Sequence, residues 1–216
     1  MFNRRNFRLV AFALTLYFFI TNILIGNYVL NAGTWGGGLK FLTNWNLLLN
    51  FIIASCALLN ERDSKFTHHY FLLPASMVLN ILVFALYWII KLLGGFGDAQ
   101  SGWTIFNVLK DYYMHFGTSV FLFIEVLFYS KAFQNLKREY SVFMVIFISY
   151  IVWMEVFLQR YNDIPCGTVT CGFPYLFLNN LNYVGRIIFY LVVWIMGQLS
   201  WIGCRKLVHG PKPNSV

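Results

Sequence analysis

The sequence predicts an all-α membrane protein: a six-transmembrane-helix bundle forming one integral membrane domain, 1–216, with both termini cytoplasmic. Three observations carry this expectation. Of 216 residues, 59% are hydrophobic and 11% charged, more apolar surface than a single soluble core buries. Six apolar runs approach or reach the roughly 20 residues a helix needs to cross about 30 Å of hydrocarbon. The Lys and Arg residues gather in alternate connections, the pattern that marks cytoplasmic loops.

The first run, 9–30, follows Arg4, Arg5 and Arg8. It outlasts the core of a secretory signal and closes on no small-x-small cleavage site, so it is expected to remain as a helix. The second, 39–59, is introduced by the turn "WGGGLK". The third covers 70–93, the fourth 114–133, the fifth 141–158 and the sixth 181–204. All six are rich in unbroken Leu, Ile, Val and Phe, and none alternates as a barrel strand does.

Eleven of the 16 Lys and Arg fall in the N-terminal tail, the second and fourth connections (Arg62, Lys65, Lys131, Lys137, Arg138) and the C-terminal tail (Arg205, Lys206, Lys212). The intervening connections, 31–38, 94–113 and 160–180, hold only Lys110 and Arg160. The net charge of +8 is thus a topology signal, with membrane lipids as partners and no nucleic acid. The endoplasmic reticulum and the plasma membrane both suit such a chain.

Cys166 and Cys171 lie in the last non-cytoplasmic loop and are candidates for a disulfide. Zinc is disfavoured there, because no second Cys or His pair stands at ligand spacing. His68 and His69 have no metal-ligand companions, so neither a metal nor a cofactor is expected. Cys56 and Cys204 read as small packing residues within helices. Trp35, Trp103, Tyr112, Tyr113, Tyr161 and Tyr175 read as an interfacial aromatic belt.

Polar side chains inside hydrocarbon are costly unless they face the bundle interior and find partners, so each is a functional candidate. At about 100° per residue, Thr43, Asn46 and Asn50 share one stripe of the second helix, with Asn44 off it. Interhelical hydrogen bonding alone would account for such a stripe. In the fourth run, "MHFGTSVFLFIEV", His115 shares a face with Thr118 and Ser119, and Glu125 lies about 15 Å deeper. Thr43 and His115 are expected at one depth. A threonine hydroxyl becomes a nucleophile when a neighbouring base takes its proton, and imidazole suits that task near neutral pH. No GxSxG elbow or HExxH zinc helix occurs in the sequence.

Read together, "WGGGLKFLT", "MHFGTSVFLFIE" and "FLNNLNYVGRIIFY" resemble the androgen-induced protein family, which includes the androgen-dependent regulators of tissue factor pathway inhibitor. Lys40 to Thr43 match its KFLT motif, and His115 and Glu125 keep its spacing of ten. The resemblance implies a multi-pass membrane threonine hydrolase of fatty acid esters of hydroxy fatty acids, with Thr43 as nucleophile and His115 as base. Two departures stand out: Phe116, Gly117 and Val120 replace the family's hydroxyl-rich turn and proline, and the cysteine pair is extra.

Asn46 and Asn50 are then candidates for substrate or oxyanion contacts, and Arg186 for a buried charge network with Glu125 or Glu155. The expected partner is a lipid ester substrate. A transporter lined by Asn46, Asn50, Glu125 and Arg186, and a non-catalytic adaptor acting through its loops, are the rival readings.

Overall fold

The computed structural model describes residues 3–25, 35–60, 70–92, 105–162, 165–166, 169–170 and 172–210. Six long helices occur among them: α1 Arg4–Ile25, α2 Leu42–Asn60, α3 Tyr70–Leu92, α4 105–129, α5 Leu136–Tyr161 and α6 Tyr183–His209. A two-residue antiparallel pair, Pro165–Cys166 with Val169–Thr170, and a short helix, Leu176–Asn179, lie between α5 and α6. Cys171 lies outside the described residues, and so do the expected bridge to Cys166 and the reading of His68 and His69.

α1, α2, α3, α5 and α6 are long and apolar enough to cross a membrane, which makes the chain a multi-pass integral membrane protein. α4 is not one of these five; it carries Lys110, Asp111, His115 and Glu125. It also begins nine residues before its expected start at 114, which puts Lys110 and Asp111 on the helix instead of in a loop. Their polarity mimics a loop in the sequence, and folding resolves it by pairing Asp111 with α3.

Helix starts follow local chemistry. Asn3, Asn135 and Asn182 cap α1, α5 and α6 by accepting the backbone N–H groups of Arg5, Arg138 and Gly185. Pro74 sits in an early turn of α3, where its missing N–H costs little. α3 is the axis of the bundle, packed against α2, α4, α5 and α6. From Leu73 to Asn80 it is buried on every side, as expected of a helix apolar all round.

Among the described residues, four stretches wind as π-helical turns: Ile20–Ile25, Tyr113–Gly117, Glu125–Tyr129 and Trp153–Leu158. His115, Glu125 and Glu155 all fall within them. Such wide turns re-aim a side chain relative to a regular helix and recur at functional sites.

Arg8 corrects the charge reading. It belongs to α1 rather than to a free cytoplasmic tail, and it is 2% exposed. Its Nε donates to Glu125 Oε2 at 3.0 Å, a second guanidinium nitrogen pairs with Oε1, and Nη1 reaches the Ala57 carbonyl at 3.0 Å. Ser130 also donates to Glu125. A second, partly buried pair joins Arg186 Nε to Glu155 Oε1 at 2.9 Å. Of the two carboxylates offered to Arg186, the fold therefore selects Glu155.

Candidate functional site at the head of α2

The turn that opens α2 is built around backbone geometry. Gly36 and Gly37 have φ of 89° and 49°, the left-handed region that side chains rarely adopt. A Cβ at Gly36 would run into Leu158 Cδ2. A single 3₁₀ turn, Gly37–Lys40, follows, and α2 starts at Leu42.

Side chains from α5 and the loop before α6 grip this turn by its backbone. Trp45 and Trp153 donate to the Leu39 carbonyl at 2.8 and 3.0 Å, and Tyr150 donates to the Lys40 carbonyl at 2.9 Å. Tyr175 accepts the Leu42 N–H at 3.1 Å, and Asn44 donates to the Gly38 carbonyl at 2.7 Å. The Asn162 amide both accepts from and donates to the Trp35 backbone, at 2.8 and 2.9 Å. The segment carrying Thr43 is thereby held by its neighbours Asn44 and Trp45 and by Tyr150, Trp153, Asn162 and Tyr175, more than 100 residues away.

Thr43 and His115 both line one cavity of about 530 Å³. Its walls are mostly apolar, from Val83, Leu86 and Ile90 on α3, Met154 on α5, and Phe189 and Val193 on α6. The polar exceptions include Asn44, Tyr87, Lys110, Asp111, Tyr150, Tyr175 and Tyr190. A volume and lining of this kind fall in the range of small-molecule sites. No hydrogen bond joins Thr43 to His115 among the described residues.

His115 stands in the third turn of α4 rather than at its mouth. Its ring stacks on Tyr87, with centroids 3.7 Å apart and planes 12° off parallel. Nε2 lies 3.9 Å from Asp111 Oδ1, and Nδ1 is buried without a hydrogen-bond partner. The Tyr87 hydroxyl donates to Asp111 and accepts from Lys91 Nζ at 3.1 Å.

Asn46 and Asn50 lie elsewhere. Both point from α2 into a buried knot with α3 and α4 and do not line the cavity. Asn46 Nδ2 donates to Asn80 Oδ1 at 3.0 Å, Asn80 Nδ2 to Asn50 Oδ1 at 3.3 Å, and Ser119 to Asn80 Oδ1 at 3.3 Å. The expected stripe thus divides. Thr43 faces the cavity, as does the supposedly off-stripe Asn44, while the deeper asparagines bind helices together.

Glu155 and Arg186 form a hydrogen-bonded group with Tyr190, whose hydroxyl donates to Glu155 at 2.8 Å. Since Tyr190 lines the cavity, this ion pair braces its wall. Two supposed belt aromatics are interior as well: Tyr175 lines the cavity, and Tyr113 stacks on Phe18 at 4.2 Å.

The fold and the site together define a multi-pass membrane protein whose helices line a mostly apolar cavity with a hydroxyl and an imidazole in its wall. The family model of the FAR-17a/AIG1-like proteins matches residues 6–209, and the chain belongs to that family. No match was found among curated proteins or among solved structures.

Proposed function

We propose that this protein is an intramembrane lipid ester hydrolase that cleaves fatty acid esters of hydroxy fatty acids, with Thr43 as nucleophile and His115 as base. The observation that carries the reading is the shared cavity, in which Thr43 lies with a buried imidazole nitrogen that no protein group occupies. In this reading α4 completes a six-span bundle with both termini cytoplasmic, in the endoplasmic reticulum or plasma membrane.

His115 Nδ1 takes the Thr43 proton as Oγ1 attacks the ester carbonyl, and the imidazolium returns that proton to the departing alkoxide. Water activated by His115 then hydrolyses the acyl-threonine, releasing the acid and restoring the hydroxyl. In the turn that opens α2, Tyr175 takes the Leu42 N–H and the Phe41 carbonyl takes those of Asn44 and Trp45. That leaves the Thr43 N–H for the oxyanion, the role first offered to Asn46 and Asn50. An apolar cavity reached from the bilayer suits a substrate already dissolved in lipid.

The transporter reading loses support, because its polar residues are spent on partners: Glu125 on Arg8, Arg186 on Glu155, and Asn46 and Asn50 on Asn80. The test is hydrolysis of such a branched ester by purified protein. Turnover in the wild type and none in a folded Thr43→Ala variant supports the reading; equal turnover in both, or none in either, refutes it.

A further inference from the structure

We infer that Asp111 is a positioning residue for His115, set in place by Tyr87, so that the reaction is run by a Thr43–His115 pair with a built support behind it. The inference rests on the hydrolase reading above and deepens it. The sequence offers no obvious third residue, and the structure supplies one four residues upstream on the same helix.

A neutral histidine carries one N–H and one lone pair, and the group facing each nitrogen decides which is which. Asp111 Oδ1 faces Nε2 at 3.9 Å, so the N–H sits on Nε2, and the lone pair falls on Nδ1, the buried nitrogen without a partner. The carboxylate thus selects the tautomer a base needs. At 3.9 Å the contact is an ion-pair approach rather than a hydrogen bond, as is common in ligand-free sites whose hydrogen bonds tighten when substrate arrives.

Tyr87 links the two. Its ring face lies on the His115 ring at a centroid distance of 3.7 Å, fixing the imidazole plane, while its hydroxyl donates to the other oxygen of Asp111. Lys91, one turn further along α3, donates to that hydroxyl at 3.1 Å and lies over the Tyr87 ring at 5.2 Å. Every donor finds an acceptor in one direction: Lys91 to Tyr87, Tyr87 to Asp111, with His115 facing the remaining carboxylate oxygen. Lys110 on α4, next to Asp111 in sequence, also lines the cavity. The π-helical turn Tyr113–Gly117 begins two residues after Asp111 and contains His115, so the backbone re-aims the histidine relative to its carboxylate.

The experiment compares wild type, Asp111→Asn, Tyr87→Phe, the double variant and Thr43→Ala, using the purified full chain and a branched fatty acid ester. Asp111→Asn keeps the size and removes the charge; Tyr87→Phe keeps the stacked ring and removes the hydroxyl. We expect Asp111→Asn to lower kcat about 10- to 100-fold with KM within about threefold, since positioned base catalysis is worth about 100- to 10,000-fold in all. The double variant should be no slower than Asp111→Asn alone, because the two residues act along one chain of contacts. Unchanged thermal unfolding separates this from misfolding. If Thr43→Ala is dead while Asp111→Asn keeps wild-type kcat, or the two losses multiply, the positioning role is overturned and the hydrolase reading stands. If the wild type itself is inactive, the hydrolase reading falls and takes the proposal with it.

Discussion

Removing the Glu125 carboxylate tests most sharply how this bundle tolerates charge. Arg8 and Glu125 join the first and fourth helices, with side chains 2% and 6% exposed. Glu125→Leu takes both carboxylate oxygens from the guanidinium, whose other contacts include the Ala57 carbonyl at 3.0 Å and the Ser130 hydroxyl at 3.5 Å. Breaking a buried ion pair by removing one partner costs about 3–5 kcal/mol. For a chain of about 200 residues, each kcal/mol moves the midpoint by about 2–4 °C, so Tm should fall by about 6–20 °C. Combining Arg8→Met with Glu125→Leu removes both desolvation penalties and should recover most of the loss. The assay is thermal unfolding of the four proteins in detergent micelles, read as a double-mutant cycle. Single variants within about 1 kcal/mol of wild type, or a double variant whose loss is the sum of the two, would refute the coupling.

Three further outcomes follow from the geometry. Thr43→Val, which keeps the shape and removes the hydroxyl, should leave Tm within about 2 °C and abolish ester turnover, whereas Thr43→Ser should retain part of it. Gly36→Ala must accommodate a left-handed φ and a Cβ contact with buried Leu158; we expect a loss of about 2–4 kcal/mol by thermal unfolding and reduced turnover, because that turn carries Thr43. Asn80→Leu takes away the acceptor that Asn46 and Ser119 share; at about 1–2 kcal/mol per buried bond it should cost about 2–4 kcal/mol, with turnover per folded molecule preserved. Lost turnover at unchanged stability would return that knot to the active site.

The helices were legible because hydrocarbon leaves the backbone almost no other way to satisfy its hydrogen bonds, so their length and apolarity are written directly in composition. Partners were less so. Arg8 resembled a topology charge because a basic tail and the first turn of a helix look alike in sequence; its burial depends on Glu125, 117 residues away. Asn80 carried a readable signal, since Ser76 and Asn80 repeat on α3 the four-residue spacing of Asn46 and Asn50 on α2. Matched spacings on consecutive helices are what a shared polar knot requires. Tyr87 carried none, being one aromatic among many in an apolar run. The missed start of α4 had the widest effect: with 105–113 taken as a loop, the i, i+4 relation of Asp111 to His115 could not be seen.

The polarity of the second helix then has two physical causes that the sequence merges into one stripe. Below, Asn46 and Asn50 lie among three helices, where every donor and acceptor costs free energy unless another side chain meets it, so polarity there specifies which helices touch. Above, Thr43 stands in a turn whose neighbouring N–H and carbonyl groups are already bound by tyrosines, tryptophans and Asn44, which leaves its own hydroxyl open to the cavity. The difference lies in what surrounds each residue rather than in the residue itself. On the hydrolase reading, the asparagine knot can be replaced by well-packed apolar groups at a cost in stability alone, whereas the hydroxyl facing the cavity cannot be replaced without loss of turnover.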